Sequence, residues 1–381
     1  MSRRLLVPAL IGALSLISPL VPVATAGEAA PTVRLLGEQI VPNTLVFGGT
    51  NVGGLSGIDY NPRTGGYALI CDDRSVLQPA RFYTARFPVD AHGTGPVTIT
   101  GTAPILRPDG TTYPPLTSND PTLPQNEQTI DPEEMRVDPW TGDYYWSQEG
   151  ERTETTLIDP SIREAQPTGK YVRDLPIPAN EKMTPTAGPR KNLVLEGITF
   201  AGFGSLLASS VESPLLQDGP LPTPQSGALS RITLQSRFGP ILAQYAYPEE
   251  KIFATPVPPT GSADNGVSSM LAVNQADPTK FLMMERSFVS GVGNKVRVYE
   301  IDTSGATDVL NVPSLAGANV KPVKKRLVVD LADVGLSKVD NVEGMTWGPA
   351  LPNGERSLVL VSDNNFSASQ VTQFIALAVR L

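Results

Sequence analysis

The sequence predicts an all-β protein with a β-propeller fold, in which small sheets form a ring around a central channel. The first observation is a pattern that recurs five times: a Gly/Ser/Glu-rich start, an apolar run, a turn, a second apolar run and a closing carboxylate. The second is that each copy has the length of one antiparallel hairpin of ordinary strands. The third is that the copies lie tens of residues apart, which is typical of an array of blades.

The five copies begin at different points along the chain and can be read directly from the sequence. They are GLSGIDYNPRTGGYALICDD from Gly54, DPEEMRVDPWTGDYYWSQE from Asp131, VLEGITFAGFGSLLASSVE from Val194, GVSSMLAVNQADPTKFLMMER from Gly266 and VEGMTWGPALPNGERSLVLVSD from Val342. An antiparallel hairpin returns the chain to the face where it began. The start and the end of every copy are therefore expected on one face of the ring.

This arrangement predicts two columns of side chains on that face. The first column starts the hairpins and consists of Ser56, Glu133, Glu196, Ser268 and Glu343. The second column ends them and consists of Asp72 or Asp73, Glu149, Glu212, Glu285 and Asp363. If the first strand of each hairpin is innermost in its blade, the first column converges on one mouth of the channel and the second column surrounds it.

The two ends of the chain supply strands that have no partner nearby in sequence. TVRLLGEQIVP starts at Thr32, and the chain ends in VTQFIALAVRL. Propellers commonly close by pairing strands from opposite termini, because closure removes an exposed sheet edge. We therefore predict six blades, five visible as copies and a sixth closed by the termini, in a single domain over residues 27–381.

Residues 1–26 have the pattern of a secretory signal peptide. Arg3 and Arg4 precede a short apolar stretch, and Ala24-Thr25-Ala26 forms a small-residue cleavage site. We expect an exported monomer that is secreted or associated with the cell envelope, without a transmembrane span. Cleavage would remove two positive charges and change the formal net charge from −8 to −10. This balance disfavours nucleic acids and anionic membrane surfaces as partners, because both select basic proteins.

The scarcity of histidine and cysteine excludes several kinds of chemistry. His92 is the only histidine and Cys71 the only cysteine, so no intrachain disulfide is possible. Neither G-x-S-x-G nor H-E-x-x-H occurs, which disfavours serine hydrolases of the Ser-His-Asp type and zinc hydrolases with several imidazole ligands. If the protein is an enzyme, carboxylates and a metal ion are the groups available to it.

The glutamates of the first column are the main candidate site residues. Glu133, Glu196 and Glu343 would face one narrow mouth, where their mutual repulsion favours a bound cation. Oxygen ligands without imidazole favour Ca²⁺, or Mg²⁺, over zinc and copper. Asp73 and Asp363 of the second column are further candidate metal ligands. The alternative is structural: the glutamates would cap neighbouring strands by accepting hydrogen bonds from backbone N–H groups.

Two arginines directly follow acids of the second column. Arg74 comes after Asp73, and Arg286 comes after Glu285. They either pair with these acids or bind a phosphate group, for which the guanidinium group is well suited.

The hairpins GGLSGIDYNPRTGGYALICDDRS, DPEEMRVDPWTGDYYWSQEGE, NLVLEGITF and VEGMTWGP resemble the family called "esterase-like activity of phytase", from about Gly49 to the C-terminus. The resemblance implies an exported bacterial β-propeller that acts on phosphate esters, with calcium dependence implied by kinship with the alkaline propeller phytases. Glu133, Glu196 and Glu343 would then hold a catalytic ion, and Arg74 or Arg286 would neutralise the transferred phosphoryl group.

Two other functions remain open at this point. One is a non-catalytic propeller that binds an envelope glycan or protein and uses the metal only as a brace. The other is a lactonase-like esterase, which the lack of histidine bases disfavours. A propeller fold alone does not decide among these functions.

Overall fold

Five four-stranded antiparallel sheets, the blades, form the ring. The structure is a computed structural model that describes residues 30–381. The predicted signal peptide lies outside the described residues. Residues 31–381 form one compact unit, and no helix within the described part of the chain combines the length and apolar character needed to cross a membrane.

Each of the first four blades is built from consecutive strands. From the innermost to the outermost strand, blade 1 contains Leu55–Asn61, Gly66–Cys71, Arg81–Arg86 and Thr98–Pro104, and blade 2 contains Pro132–Val137, Tyr144–Gln148, Ser161–Ala165 and Tyr171–Leu175. In the same order, blade 3 contains Leu195–Ala201, Leu206–Val211, Ala228–Ser236 and Ile241–Glu249. Blade 4 contains Ala263–Ala272, Lys280–Val289, Gly293–Asp302 and Lys324–Asp330. The first two strands of every blade are the hairpin that the repeat predicts.

Blade 5 combines strands from both ends of the chain. Its strands from the inside outwards are Val342–Ala350, Arg356–Ser362, Thr372–Arg380 and Thr32–Val41. The predicted pairing of the terminal strands is confirmed, with Thr32 opposite Arg380. The prediction of six blades is wrong. The two terminal strands do not form a blade of their own. They are the two outer strands of the blade whose inner strands are the fifth copy of the repeat, so residues 30–381 contain five blades.

Short elements connect these sheets. Two-residue strand pairs are Val46–Phe47 with Thr50–Asn51, Val89–Asp90 with Gly93–Thr94 and Glu151–Arg152 with Leu157–Ile158. The 3₁₀ turns are Leu116–Ser118, Gln125–Glu127, Ala179–Glu181, Gly202–Gly204, Leu216–Asp218, Leu331–Asp333 and Pro352–Gly354. Within residues 30–381 these turns are the only helical elements.

Apolar side chains pack between neighbouring blades and form the core. Between blades 1 and 5, for example, Ile58 and Leu69 pack in one cluster with Val359 and Phe374. The five innermost strands contact one another around the channel. This packing fixes the direction of those strands, so that their starts share one mouth and their ends share the other.

The middle of the channel is filled by buried polar side chains. Glu134 accepts hydrogen bonds from both Ser269 and Arg136. Arg136 also donates to the Ile58 and Met270 carbonyl oxygens at 2.8 Å each. The filled channel separates its two mouths. We call the mouth at the starts of the innermost strands the acidic mouth, and the mouth at their ends the second mouth.

Candidate metal centre

Every innermost strand has a β-bulge at its first-column residue. The register shifts fall between Leu55 and Gly57, Pro132 and Met135, Leu195 and Gly197, Val267 and Ser269, and Val342 and Gly344. A bulge leaves its extra residue outside the ladder and re-aims that side chain. Ser56, Glu133, Glu196, Ser268 and Glu343 therefore occupy equivalent positions in the five blades.

A repeated backbone hydrogen bond fixes the second column beside the first. In four blades, the N–H of the acid that ends the second strand donates to the carbonyl of the residue two positions before the first-column residue. These bonds run from Asp72 to Gly54 (2.6 Å), from Glu149 to Asp131 (3.0 Å), from Glu212 to Val194 (2.6 Å) and from Asp363 to Asn341 (2.9 Å). The bond closes each hairpin at the acidic mouth, so the two columns meet there.

Two groups of three carboxylates result, and they share one residue. Oxygens of Asp72, Asp131 and Glu133 lie within 4.8 Å of one another, and so do oxygens of Glu133, Glu149 and Glu196. Glu133 belongs to both groups. Such spacing allows three carboxylates to bind one cation, and the shared Glu133 can bridge two positions.

Several of these oxygens have no hydrogen-bond donor. Glu149 is buried; its Oε1 accepts the Val194 N–H at 2.6 Å, whereas Oε2 has no partner. Asp72 Oδ1 is also buried without a partner. A buried polar group without a partner costs about 1–3 kcal/mol. The site therefore contains oxygen atoms whose interactions the protein itself does not complete.

Burial and mutual repulsion favour the protonated form of these acids when no cation is present. Burial is the largest cause that raises the pKa of Glu133, Glu149 and Glu196 well above the ordinary value, and neighbouring carboxylates add to it. Burial raises the pKa of Asp131 to about 6, and the charge of Arg74 limits this rise. A cation would remove the repulsion and allow all of them to ionise.

Arg74 and Arg286 pair with different acids of the acidic mouth. Arg74 pairs with Asp131 at 3.1 Å and with Glu151. Arg286 lies 3.3 Å from Glu212 and 3.4 Å from Glu343. Both guanidinium groups thus neutralise part of the acidic mouth.

A cavity of about 490 Å³ opens between blades 4 and 5 next to Arg286. Its walls include Lys338, Asn294, Asn341 and Asn365. Asn341 also donates to Glu343 at 2.9 Å. Arg286 therefore connects the carboxylates of the acidic mouth with a space large enough for part of a small molecule.

The sequence of this chain matches a family model described as Phytase-like, esterase-like activity of phytase, over residues 50–366. The chain belongs to this family. No curated protein matches it.

Several solved structures are similar to this phytase-like chain at low identity. The structure of the Dos1 propeller has 7% identity and a TM-score of 0.34, covering 85% of this chain and 68% of its own. The exo-β-1,3-galactanase of Phanerochaete chrysosporium has 10% identity and a TM-score of 0.39, with 91% and 64% covered. The soluble aldose sugar dehydrogenase of Escherichia coli has 11% identity and a TM-score of 0.39, with 92% and 99% covered. This chain thus spans less than two thirds of the galactanase chain.

In this phytase-like propeller, Glu343 and Asp363 lie beside the two carboxylate groups. The charge of Glu343 contributes to the raised pKa of Glu196 and of Asp363, in both cases after burial as the largest cause. Both side chains are close enough to influence a cation in the cluster, but they are outside the two groups whose oxygens lie within 4.8 Å of one another.

Asp73 has a structural position, in contrast to its predicted role as a metal ligand. Its carboxylate accepts the N–H groups of Val76, Leu77 and Gln78 at 2.8, 3.1 and 2.8 Å, and it pairs with the buried Arg81 at 2.8 Å. These bonds occupy both oxygens and close the loop after the second strand of blade 1. Asp72, the preceding residue, supplies the carboxylate of the cluster.

Glu285 is turned away from the acidic mouth as well. Glu285 pairs with Val267, the ladder position that Gln148 and Val211 hold in blades 2 and 3, so it lies one residue before the second-column position. It accepts a hydrogen bond from Tyr247 at 2.7 Å and pairs with Lys325. Blade 4 therefore contributes Arg286 to the acidic mouth in place of an acid of the second column.

Asp131 is a cluster residue that was not predicted from the sequence. It opens the second copy of the repeat, directly before Pro132. Its position two residues before Glu133 was a usable signal, because alternate residues of an extended segment point to the same side. Glu149 belongs to the predicted second column, although it was not among the predicted metal ligands.

The donor set of the acidic mouth fits a hard divalent cation. All of its ligand atoms are carboxylate oxygens, and Glu149 Oε2 is buried without a partner. Ca²⁺ and Mg²⁺ prefer such oxygen ligands, whereas zinc sites usually include nitrogen or sulfur. Asp72, Asp131, Glu133, Glu149 and Glu196 are the residues that would hold the ion.

Proposed function

We propose that this phytase-like propeller is a hydrolase that acts on phosphate esters at its acidic mouth with the help of Ca²⁺, or of Mg²⁺. One observation carries the proposal: two groups of three carboxylates share Glu133 and include a buried oxygen of Glu149 without a partner. Membership of the phytase-like family supports ester hydrolysis as the reaction class.

The cation, when bound, would polarise a phosphoryl oxygen and lower the pKa of a bound water. The residues of the chain prepare the place for it. The β-bulges aim Glu133 and Glu196 into the mouth, and the backbone bond from Glu149 to Asp131 holds the neighbouring acids in position.

The two arginines have different positions relative to a substrate in this proposal. Arg74 is bound to two acids and balances charge at the cluster. Arg286 lies at the boundary between the cluster and the cavity of about 490 Å³. A phosphate group held there would contact Arg286, and the remainder of the ester would occupy the cavity beside Lys338 and Asn294.

Turnover by the purified protein would test this function directly. Protein treated with a chelator, then supplied with Ca²⁺ or Mg²⁺, is assayed with an aryl phosphate, an aryl phosphodiester, an aryl carboxyl ester and a lactone. We expect cation-dependent hydrolysis of a phosphate ester. Glu133→Gln and Glu196→Gln should each lower kcat at least about a hundredfold, because the amide keeps the shape and removes the charge that holds the ion. Glu154→Gln, at an exposed position, is the matched control.

Other outcomes of the same assay identify the alternatives. Hydrolysis of the lactone or carboxyl ester alone would indicate the esterase function. A cation that raises the melting temperature without turnover on any substrate would indicate a bracing ion in a non-catalytic binding protein. The proposed export is tested separately, by N-terminal sequencing of protein recovered outside the cytoplasm, which should begin at Gly27.

A further inference from the structure

The second mouth of the channel contains a cavity of about 460 Å³. All five innermost strands contribute to it at the same offset, three residues after the first-column residue. The residues at this offset are Asp59, Arg136, Thr199, Leu271 and Thr346. Three residues of strand correspond to about 10 Å, so this cavity is a separate site from the acidic mouth.

The lining of this cavity combines aromatic rings with polar groups. Tyr60 and Trp347 supply the rings, whereas the ring of Phe200 is buried and packs against Tyr145. The polar groups belong to Asp59, Asn61, Arg63, Arg136, Asp138, Thr346 and Gln275. Two carboxylates and two guanidinium groups cancel in formal charge, so the cavity selects neither an anion nor a cation.

An exposed aromatic surface continues the cavity outwards. Trp140, Phe203 and Phe238 are 49%, 68% and 70% exposed. The rings of Trp140 and Phe238 are 6.3 Å apart, and Arg237 covers one face of Trp140 at 4.0 Å.

Hydrogen bonds attach this aromatic rim to the wall of the cavity. The Trp140 carbonyl accepts from Arg63 at 3.0 Å, and the Phe203 N–H donates to the Gln275 carbonyl at 3.2 Å. Arg63 and Gln275 both line the cavity. The rim and the cavity are therefore one continuous surface.

The backbone at Phe203 is in a conformation that an aromatic residue rarely adopts. Phe203 has φ 56° and ψ 35°, in the left-handed region, between Gly202 and Gly204. Glycine or asparagine would form this turn at lower cost, because a side chain branching from Cβ is strained in this region. The Phe203 ring gains no burial in return. The indole N–H of Trp140 donates to the Phe203 carbonyl oxygen at 2.7 Å and holds the turn in place.

We propose that the second mouth binds a neutral oligosaccharide. Sugar rings combine an apolar face of C–H groups, which packs on the electron-rich face of an aromatic ring, with hydroxyl groups at their edges. Tyr60 and Trp347 match the faces of a sugar, and the carboxylate and amide groups match its hydroxyls. Trp140 and Phe203 provide further surfaces for sugars beyond the cavity. This site is independent of the proposed hydrolysis, because the buried Glu134 and Arg136 fill the channel between the two mouths.

Binding measurements on full-length mature protein would test this site. The probes are neutral tetrasaccharides of glucose, galactose, mannose and N-acetylglucosamine, with a tetramer of galacturonic acid as the charged comparison, and titration is followed by ligand-observed NMR. We expect binding of at least one neutral tetrasaccharide. Phe203→Gly should weaken that binding at least about tenfold, while the melting temperature stays the same or rises because glycine relieves the strain.

Phe288→Ala is the matched control, because Phe288 is a partly exposed aromatic residue at the cavity beside the acidic mouth. It should bind the tetrasaccharide as the wild type does. The proposal is overturned if the wild type binds none of the neutral tetrasaccharides, if it binds only the charged one, or if Phe203→Gly binds as tightly as the wild type. Loss of hydrolysis at the acidic mouth in any variant does not bear on this result.

Discussion

Glu149 is buried, and one of its carboxylate oxygens has no partner. Burial, followed by repulsion from Asp131 and Glu212, raises its pKa well above the ordinary value. In the absence of a cation the charge of Glu149 is therefore unfavourable for the folded state. With a cation bound, the same charge becomes a ligand.

This dual role predicts opposite effects of Glu149→Gln. Without metal, the variant should be more stable than the wild type, by about 1 kcal/mol, because the buried wild-type carboxylate must take up a proton on folding and the neutral amide need not. With excess Ca²⁺, the increase in melting temperature should be much smaller than in the wild type. Thermal unfolding with a chelator and with Ca²⁺ measures both effects. A variant that is less stable without metal and keeps the full Ca²⁺ effect would contradict the assignment.

Asp73 is expected to behave differently, because it neutralises the buried Arg81. Asp73→Asn should lower the free energy of unfolding by about 3 kcal/mol, since it leaves a buried guanidinium group without its counter-charge. The stabilisation by Ca²⁺ should remain as in the wild type. Chemical denaturation with and without Ca²⁺ measures both quantities, and Asp333→Asn, at an exposed acid, is the control. If Ca²⁺ stabilises Asp73→Asn less than it stabilises the wild type, Asp73 is a metal ligand.

Asp72 and Asp73 show what a sequence pattern leaves undecided at this scale. Neighbouring residues of an extended segment point to opposite sides, so a shift of one position exchanges a ligand for a structural residue. The column of acids was visible in the sequence. The choice between two adjacent acids depends on the backbone bond from Asp72 to Gly54, which no local pattern reveals.

At the scale of the strands, close contact of the innermost strands constrains the residue after the first column. Gly57, Gly197 and Gly344 occupy this position in blades 1, 3 and 5. A Cβ atom at Gly197 would lie 2.8 Å from the Met270 nitrogen, and one at Gly344 would lie 2.8 Å from the Ser56 carbonyl. The other two blades have Glu134 and Ser269 there, and these side chains fill the channel.

We therefore expect Gly197→Ala to destabilise the protein by about 1–3 kcal/mol, since the backbone of blade 4 must move to make room. Gly101→Ala is the control, because its added methyl group meets a single atom, the Thr84 hydroxyl oxygen, in the outermost strand of blade 1. It should change stability by less than about 1 kcal/mol. Urea denaturation compares the two variants. Equal effects would mean that the innermost strands are not tightly packed.

The hairpins, their order and their shared face could be predicted from the repeat, because apolar runs and turns have a local signature. The β-bulges could not. A bulge adds one residue to one strand without any required residue type, as Ser56 and Glu196 at equivalent bulges show. The number of blades could not be predicted from the repeat either, because strands of blade 5 come from both ends of the chain.

At the scale of the whole molecule, the buried acids couple stability to pH. Burial is the main cause that raises the pKa of Asp363 and of Glu212 to about 8. Between the ordinary pKa near 4 and this value, the folded metal-free protein holds protons that the unfolded chain has released. Its stability is therefore greatest at the acidic end of this window and falls as the pH rises through it.

The metal-free protein should thus be less stable at pH 8 than at pH 5.5, by at least about 1 kcal/mol. Saturating Ca²⁺ should reduce or reverse this difference, because the cation replaces the protons. Denaturation at both pH values, with a chelator and with Ca²⁺, gives the four free energies of unfolding that are needed. Metal-free protein that gains stability from pH 5.5 to pH 8 would show that these acids ionise freely in the folded state.

The pairing of Thr32 with Arg380 determines when the molecule can be completed. The strand Thr372–Arg380 is synthesised after all strands of blades 1 to 4, so those four blades can form before blade 5 has all its strands. The closing step joins segments separated by nearly the whole chain, and the entropy cost of such a loop grows only slowly with its length. Until that step, the inner three strands of blade 5 leave the edge of Thr372–Arg380 exposed, and an unpaired edge of this kind is a site for aggregation. Pairing of Thr32–Val41 with this edge therefore completes the ring and removes the site for aggregation.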